Sequence, residues 1–328
     1  MNISVIYSCS DVFAKYAYIS MWSLFKSNTS IEDISVYLIE DGITNLIAFE
    51  KLAIEYNRKL EIMSITTINY ELKDAKQFFN SKATYAKLLA SKVCKEDKII
   101  YIDADTLITK SLSEMWSVDI TDYLIAGVQD CLQDFHLEAI GMNVNDRYVN
   151  GGVLILNLKK WREVNLENSF LEYISSHNGD LPNVDQGIIN GVCKGQILIL
   201  DPKYNTIPQL LYYRKSDKIK KLYNINNYYN QKQIDEAISH PVIIHFIRHF
   251  YDRPWNKGCM HPYKNMFREY IKHSHFDKNL EESSLKRSVK IRRLVYRYMP
   301  FRIFYMLEKK LDYKRKYTLN KIYLKRKH

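Results

Sequence analysis

Cysteine, glycine and proline are all scarce in this chain of 328 residues, with 5, 10 and 7 copies respectively. Because no two cysteines form a CxxC pair, the sequence offers neither a zinc cage nor a plausible disulfide framework, and the odd count suits a reducing cytosol. The low glycine and proline contents exclude collagen-like and low-complexity classes. Aromatic residues are plentiful instead, with 26 Tyr and 13 Phe, and the hydrophobic content of 46% excludes disorder over the whole length.

Long apolar runs are also lacking. None approaches the roughly 18 residues that a membrane-spanning helix needs. The first residues, MNISVIYSCSD, place no basic segment before an apolar stretch, so we find no signal peptide. The sequence therefore predicts a soluble or peripheral protein that stays in the cytoplasm.

Basic charge is concentrated at one end of the chain. The formal net charge is +11, yet residues 286–328 hold sixteen Lys or Arg against the two acids Glu308 and Asp312, which gives this segment +14 and leaves residues 1–285 at −3. Such asymmetry indicates binding to a polyanion, either nucleic acid or an anionic membrane surface.

The basic segment also carries apolar residues at helical spacing. Ile291, Leu294 and Tyr298 recur among the charges, and a proline separates this first helix from a second, more apolar one. We favour attachment to the inner face of the cytoplasmic membrane over a solvated extension or a nucleic-acid contact, because apolar and basic residues interleave so regularly. We therefore divide the chain into one domain over residues 1–275 and a basic, membrane-associating region over residues 276–328.

Short apolar strands alternate with helical segments in the first third of the chain. The predicted strands are 3–8, 34–39, 60–63 and 98–102, and the predicted helices are 11–27, 45–56 and 82–93. This order favours an α/β fold with parallel strands covered by helices. Further strands are expected at 123–128, 152–157, 196–200 and 241–246, and further helices at 158–164, 168–176 and 185–192. Residues 203–235 are expected to form loops with short helical pieces.

The strongest local motif is KIIYIDADTLI, residues 98–108, in which a strand ends at Asp103-Ala104-Asp105. Ligands of open α/β sheets bind at the carboxyl ends of strands, which is where this pair falls. Two carboxylates at positions i and i+2 can share one Mg²⁺ or Mn²⁺ and leave coordination positions for a diphosphate. A polar turn that closes a buried strand is the alternative, and the motif alone does not decide between them.

Two further segments carry candidate polar residues. Asn150-Gly151-Gly152 opens a strand, and its glycines would let a ligand approach the backbone, although a hairpin turn is by itself the better explanation. Asp185 and Gln186 stand at a predicted helix start, where the carboxylate either caps the helix or faces a sugar.

A fourth segment, residues 241–259, combines a strand with basic and aromatic residues. His245 ends the strand and could complete a metal site, and Arg248 or Arg253 could grip a phosphate. A single histidine at a strand end is more often structural, but the basic cluster beside it favours a functional reading.

Taken together and in order, these segments resemble glycosyltransferase family 8, the bacterial group that includes lipooligosaccharide galactosyltransferases. The resemblance runs over roughly residues 1–265. It implies a GT-A fold, which is a Rossmann-like domain for a nucleotide sugar with a mixed central sheet, followed here by the helical basic appendage. It also implies a retaining hexosyltransferase that takes galactose or glucose from a UDP-sugar and depends on Mn²⁺, with Mg²⁺ as the alternative.

The resemblance also implies roles for single residues. Asp103 and Asp105 match the aspartates of the family's metal site, and His245 matches its third protein ligand. The uridine is expected near Ser8, Ser10 and Asp11, and the rest of the donor near Lys87, Ala104, Asn150, Gly151, Arg248 and Arg253. Asp130, Asp185 and Gln186 match the positions around the transferred sugar, with Gln186 nearest its anomeric carbon.

Two departures from the family pattern concern the donor site. Lys87, in the segment ATYAKLLA, stands where the family usually has an arginine. The segment that begins at His245 is two residues longer than the family's H-x-x-G-x-x-K-P-W, and Arg253 replaces the lysine. Arginine and lysine bind phosphate differently, so the sequence leaves open which of Arg248, His249 and Arg253 contacts the pyrophosphate.

Other classes of function stay open at this point. A metal-dependent nucleotidyltransferase on a related sheet is the alternative enzyme, but the sequence lacks a Gly-rich basic loop after the first strand. A nucleic-acid-binding protein with an inactive front domain would use the basic region alone. For a transferase we expect a lipid-linked saccharide acceptor, as in lipopolysaccharide synthesis. A protein acceptor fits the sequence too, since acceptors are usually recognised by variable loops such as 203–235.

Overall fold

The computed structural model describes residues 1–68, 71–75, 81–179, 182–283 and 285–319. Outside the described residues lie residue 181, in the segment before Gln186, and residues 284 and 320–328 of the basic region. The strands are β1 (Asn2–Ser10), β2 (Asp33–Asp41), β3 (Lys59–Ser64), β4 (Lys98–Ile102), β5 (Thr106–Ile108), β6 (Ile125–Gln129), β7 (Val149–Asn157), β8 (Ile197–Ile199) and β9 (Ile243–His245). The helices are α1 (Asp11–Ser27), α2 (Leu46–Glu55), α3 (Ala90–Val93), α4 (Ser113–Trp116), α5 (Asp134–Ala139), α6 (Leu158–Glu163), α7 (Leu166–Ser176), α8 (Val184–Cys193), α9 (Pro208–Tyr213), α10 (Ser216–Tyr223), α11 (Gln231–Ser239), α12 (Lys264–His273), α13 (Arg287–Tyr298) and α14 (Phe301–Leu319).

Seven of these strands form one mixed sheet, in the order β3-β2-β1-β4-β7-β6-β8. The strands β1 to β4 run parallel, as the alternation of strands and helices predicts, and β7 runs antiparallel to its neighbours β4 and β6. Every residue of β7 is buried, and its apolar run over residues 153–156 shows no alternation of apolar and polar residues. The α/β class and the mixed central sheet are therefore confirmed.

Alternate side chains of the strands enter two cores, one on each face of the sheet. In β1, Val5 and Tyr7 point into the core that includes α1 and α2, whereas Ile6 points into the core that includes α6, α7 and α8. Because helices cover both faces, the accessible polar groups of the sheet lie at its strand ends. Strands β1, β4 and β6 share one direction, so Ser10, Asp103 and the residues after β6 lie at the same edge, where β7 begins.

The basic region is helical, as predicted. Helix α14 packs inward through Phe304 and two buried acids, Glu308 and Asp312. Gln133 Nε2 donates to Asp312 Oδ2 at 2.8 Å, and Arg292 Nε of α13 donates to Glu308 Oε1 at 2.7 Å. The outward side of the two helices carries exposed apolar side chains: Ile291, Leu294, Tyr298, Met299, Met306, Tyr313 and Tyr317. Among the described helices, none combines the length and apolarity required to cross a lipid bilayer.

Residues 203–235 contain the short helices α9 and α10 and the start of α11, in keeping with the short helical pieces expected there. The structure differs from the sequence-based expectations in other segments. The helix expected over residues 82–93 begins as a 3₁₀ turn, Ala83–Leu89, and only its end is α-helical. Helices α5 and α12 were not anticipated from the sequence.

Candidate active site

The predicted metal ligands come together through a small second sheet. After Asp105 the chain continues into β5, which pairs antiparallel with β9 so that Thr106 lies opposite His245. This register places His245 Nε2 at 3.1 Å from Asp105 Oδ1 and 3.7 Å from Asp103 Oδ2. The three side chains offer ligand atoms that all lie within 4.8 Å of one another, and no other such group of three occurs among the residues that the structure describes.

Gly152 keeps the space in front of these ligands open. A Cβ built at this position would lie 2.2 Å from His245 Cε1 and 2.6 Å from Asp103 Oδ2. Two carboxylates and one imidazole are donors that suit Mg²⁺ or Mn²⁺. The residues present therefore fit a divalent cation, and the second glycine of the Asn-Gly-Gly motif is explained by that fit.

The electrostatics of the group also favour positive charge at this point. Burial would raise the pKa of Asp105, but the adjacent His245 and then Arg253 outweigh that effect and hold the pKa below its usual value. Burial would lower the pKa of His245, but the adjacent Asp105 outweighs it and raises the pKa. A divalent cation would be stabilised by the same carboxylates.

The ammonium of Lys87 contacts one aspartate from each of two motifs, Asp103 and Asp185. Its Nζ lies 2.7 Å from Asp185 Oδ2 and 3.4 Å from Asp103 Oδ1, and it donates to the Gly151 carbonyl at 2.8 Å. The side chain is only 1% exposed and lies 4.0 Å from the centre of the Tyr101 ring. Burial would lower the pKa of Lys87, but Asp103 and Asp185 outweigh it and raise the pKa, so the ammonium stays charged.

Asp185 does not cap helix α8, because Asn183 occupies the N-cap position. Its carboxylate accepts a hydrogen bond from Thr84 Oγ1 at 2.8 Å in addition to the Lys87 contact. The alternative that the sequence left open for this aspartate, a purely local capping role, does not match the structure.

Gln186 is held at both ends of its amide. Its Nε2 donates to Asp130 Oδ2 at 2.9 Å, and its Oε1 accepts from the Gly151 backbone N–H at 2.9 Å. Asn150 Nδ2 lies between the two acceptors, 3.0 Å from Asp130 Oδ2 and 3.2 Å from Gln186 Oε1. The side chain of Gln186 therefore has a fixed orientation at the wall of the cleft.

The cleft at this edge of the sheet has a volume of about 610 Å³, in the range usual for small-molecule sites. Its lining includes twelve of the predicted site residues: Ser8, Ser10, Asp103, Ala104, Asp105, Asn150, Gly151, Asp185, Gln186, His245, Arg248 and Arg253. Lys87 and Asp130 lie behind the wall and bond to residues that form it. Asp11 is not part of the lining, and its exposed carboxylate accepts from the Thr44 backbone N–H at 2.8 Å.

The structure separates the three candidates for phosphate binding. Arg253 Nη2 lies 3.2 Å from Asp105 Oδ2, with its guanidinium 5.5 Å from the Trp255 ring centre. Arg248 also lines the cleft, whereas the imidazole of His249 lies outside the lining and 3.3 Å from Tyr213 Oη. Arg248 and Arg253 are therefore the cations that a phosphate in the cleft can reach.

Tyr101 and Asn205 are among the polar residues of the site that sequence reasoning missed. Tyr101 Oη donates to Asp103 Oδ1 at 2.6 Å, and strand spacing could have placed it there, since residues i and i+2 share a face. Asn205 Oδ1 lies 3.0 Å from His245 Nδ1, but Asn205 is in the stretch expected to form loops, where nothing in the sequence marks it.

Comparisons with known proteins agree on one family. The model of glycosyl transferase family 8 matches residues 4–259. A putative glycosyltransferase of Haemophilus influenzae is 30% identical over 213 residues, which are 63% of this chain and 64% of that protein. The lipopolysaccharide 1,2-glucosyltransferase of Escherichia coli K12 is 26% identical over 270 residues, which are 79% of this chain and 75% of that protein. The solved galactosyltransferase LgtC, in complex with donor and acceptor sugar analogues, has a TM-score of 0.69 at 21% identity over 84% of this chain and 97% of its own.

The fold is of the GT-A type, and the family match makes the chain a glycosyltransferase. Since the family model matches well over half of the 328 residues, the chain belongs to glycosyltransferase family 8. The alignment with the Haemophilus influenzae protein covers less than two thirds of that protein, at 64%. Enzymes of this family use nucleotide-sugar donors and a divalent metal, and the group of Asp103, Asp105 and His245 is where such a metal fits.

Proposed function

We propose that the chain is a retaining hexosyltransferase that moves galactose or glucose from a UDP-sugar to a saccharide acceptor. The observation that carries this proposal is the position of the Asp103, Asp105 and His245 group in the same cleft as Gln186. When bound there, a divalent cation, Mn²⁺ or alternatively Mg²⁺, supplies Lewis-acid neutralisation of the charge that builds up on the UDP leaving group. The names of the glucosyltransferase and galactosyltransferase relatives support a hexose donor.

The donor would lie along the edge of the sheet. Ser8 and Ser10, with Asp11 beside them, would take the uridine, and the planar guanidinium of Arg253 would bind the pyrophosphate together with Arg248. Arg253 is suited to this role because it already lies against Asp105, on the side where the phosphates would meet the metal ligands.

Transfer with retention requires attack on the same face from which UDP leaves. Gln186 Oε1 already accepts hydrogen bonds from Gly151 N–H and Asn150 Nδ2, which engage both of its lone pairs and make it a poor nucleophile. We therefore favour a same-face substitution over a covalent intermediate. The bond from the anomeric carbon to the β-phosphate oxygen breaks, the acceptor oxygen bonds to that carbon, and the acceptor proton passes to the leaving phosphate oxygen. The carbonyl dipole of Gln186 would stabilise positive charge on the sugar, while Asp130 and Asp185 orient its hydroxyl groups.

The acceptor would be a lipid-linked saccharide at the cytoplasmic face of the membrane. Helices α13 and α14 present exposed apolar side chains amid many Lys and Arg, which is the pattern of a segment that lies in an anionic interface. On this proposal residues 1–275 form the transferase domain, and residues 276–328 hold it at the inner face of the cytoplasmic membrane. The Escherichia coli relative, a lipopolysaccharide glucosyltransferase, supports a surface glycan as the product.

The test is UDP release from UDP-galactose, UDP-glucose and other UDP-sugars without acceptor, first with Mn²⁺ and then with EDTA. We expect slow hydrolysis of one UDP-hexose that requires the metal and is lost in Asp105→Ala. The exposed Asp122→Ala, at a residue outside the cleft, is the matched control and should hydrolyse the sugar as the wild type does. Absence of both turnover and UDP binding with every metal would contradict the proposal.

A further inference from the structure

A chain of hydrogen bonds runs from the backbone of β7 to the metal histidine. The Gly152 backbone N–H donates to Asn150 Oδ1 at 3.1 Å, and Asn150 Nδ2 donates to Asp130 Oδ2 at 3.0 Å. A backbone N–H can only donate and a carboxylate can only accept, so these two contacts fix which end of the Asn150 amide is the oxygen. The orientation of Asn150 is therefore set by the fold itself.

The same logic extends to the next two residues. Asn205 Nδ2 lies 2.9 Å from Asn150 Oδ1 and must donate to it, which leaves Asn205 Oδ1 facing His245 Nδ1 at 3.0 Å. An oxygen at that distance accepts the Nδ1 proton, so Nε2 is the nitrogen that gives up its proton and offers a lone pair when a cation binds. It is Nε2 that lies toward Asp105 and Asp103, at 3.1 Å and 3.7 Å.

We propose that Asn205 is the positioning residue that fixes the tautomer and ring orientation of His245, so that Nε2 is presented as a ligand beside the two aspartates. This inference rests on the proposed metal-dependent function. Groups that accept a hydrogen bond from the other ring nitrogen of a metal-binding histidine typically have this role, and their loss weakens metal affinity by about 10–100-fold.

Asn205 is suited to hold this geometry because its backbone is fixed to the strand that carries His245. It ends the 3₁₀ turn Pro202–Asn205, and the following Thr206 donates to the Ile243 carbonyl at 2.8 Å and accepts from the His245 backbone N–H at 3.2 Å. The Asn205 side chain is fully buried. One short segment therefore holds both the imidazole and the amide that orients it.

Two variants distinguish a positioning role of Asn205 from a merely structural one. Asn205→Asp keeps an oxygen for His245 Nδ1 and loses the donor toward Asn150, whereas Asn205→Leu loses both. We expect Mn²⁺ affinity, measured from the electron paramagnetic resonance signal of free Mn²⁺, to fall by about 10–100-fold in Asn205→Leu and to be largely retained in Asn205→Asp. If Asn205→Leu fails to fold, Asn205→Ser takes its place, because its shorter side chain leaves the imidazole without an acceptor.

A spectroscopic measurement tests the tautomer directly. In Mg²⁺-loaded protein labelled with ¹⁵N-histidine, we expect the His245 signals of a protonated Nδ1 and an unprotonated Nε2. The opposite tautomer, or equal Mn²⁺ affinity in the wild type and the Leu or Ser variant, would overturn the inference while leaving the proposed function intact. A wild-type protein that binds no divalent cation would instead refute the metal-dependent function on which the inference rests.

Discussion

Gly152 approaches His245 so closely that a Cβ at position 152 would lie 2.2 Å from the imidazole Cε1. The backbone of Gly152 is not left-handed, so glycine is required here for space rather than for conformation. The preceding Gly151 meets a different neighbour, because a Cβ there would lie 3.1 Å from Gln186 Cβ. The two glycines of one motif thus lie against two parts of the site, the group of Asp103 and His245 and the side chain of Gln186.

This difference predicts distinct effects for two alanine substitutions. Gly152→Ala should abolish Mn²⁺ binding, because the new methyl group occupies the space between Asp103 and His245. Gly151→Ala should retain Mn²⁺ binding but lower turnover, because it displaces Gln186. Mn²⁺ titration and UDP-hexose hydrolysis, measured on both variants, separate the two effects. Mn²⁺ binding by Gly152→Ala with unchanged affinity would show that the cation does not lie among these three ligands.

Lys87 should be a large contributor to stability as well as to the site. Its ammonium is 1% exposed and lies against Asp185 and Asp103, whose side chains are 13% and 32% exposed, so Lys87→Met leaves two partly buried carboxylates without their cation. Removal of one partner from a fully buried pair typically costs about 3–5 kcal/mol, and we expect a smaller loss in the free energy of unfolding here, because water reaches both carboxylates. The matched control is Lys257→Met, which removes the exposed pair with Glu282 and should change stability little. Urea unfolding measures both, and equal small effects would mean that Lys87 is not the buried counter-ion described here.

Acid should destabilise the protein through three histidines whose pKa is lowered by burial. His261 packs against the rings of Phe246 and Tyr251, and burial lowers its pKa from 6.5 to about 3. Between these two values the unfolded chain binds a proton that the native state does not, so the free energy of unfolding falls as the pH falls through this window. Burial also lowers the pKa of His136 to about 4 and that of His249 to about 3, and both act in the same direction.

His261→Asn isolates one of these contributions. Asparagine can still accept the hydrogen bond that His261 Nδ1 receives from the Tyr263 N–H at 3.2 Å, but it does not titrate. We expect the variant to lose stability less steeply than the wild type between pH 6.5 and 4, by up to about 1.4 kcal/mol per pH unit. Urea unfolding at several pH values gives the slopes, with the exposed His240→Asn as control. Identical slopes in His261→Asn and the wild type would contradict this assignment.

The part of the site that residue patterns alone predict best lies next to a strand end. Asp103 and Asp105 could be placed from the sequence because a short apolar strand precedes them, and parallel strands end at a shared edge. Lys87 and Asn205 show the limit of that reasoning. The family resemblance assigned Lys87 to the donor, yet the structure puts its ammonium behind the cleft wall, against Asp185, and the spacing of 98 residues along the chain gives no hint of that pair.

The fold, like the site, was predictable where the signal is local in the sequence. Strands and helices with a clear period were placed correctly, whereas the pairing of β5 with β9 joins segments that are more than a hundred residues apart. That pairing alone brings His245 to Asp105, and it depends on a tertiary register that local spacing does not contain. From the residues alone His245 was one candidate ligand whose structural role was the commoner explanation, and the resemblance to a known family singled it out as the third ligand.

The last prediction concerns the proposed attachment to a membrane through α13 and α14. Leu294 and Met306 are 51% and 56% exposed, while the opposite side of α14 packs through the buried Phe304 and Glu308. Substitution of both exposed residues by Glu should abolish binding to phosphatidylglycerol vesicles, because the apolar face would no longer enter the interface and two negative charges would oppose the anionic surface. The control is Ile54→Glu on α2, a site that is 78% exposed but distant in sequence from the basic region, and it should bind as the wild type does.

Each basic residue near such a surface contributes about 1 kcal/mol, so wild-type binding should weaken with added salt and be much lower on phosphatidylcholine. If the wild type instead ignores the vesicles and binds single-stranded nucleic acid with a steep salt dependence, the basic region serves a different polyanion and the membrane assignment is wrong.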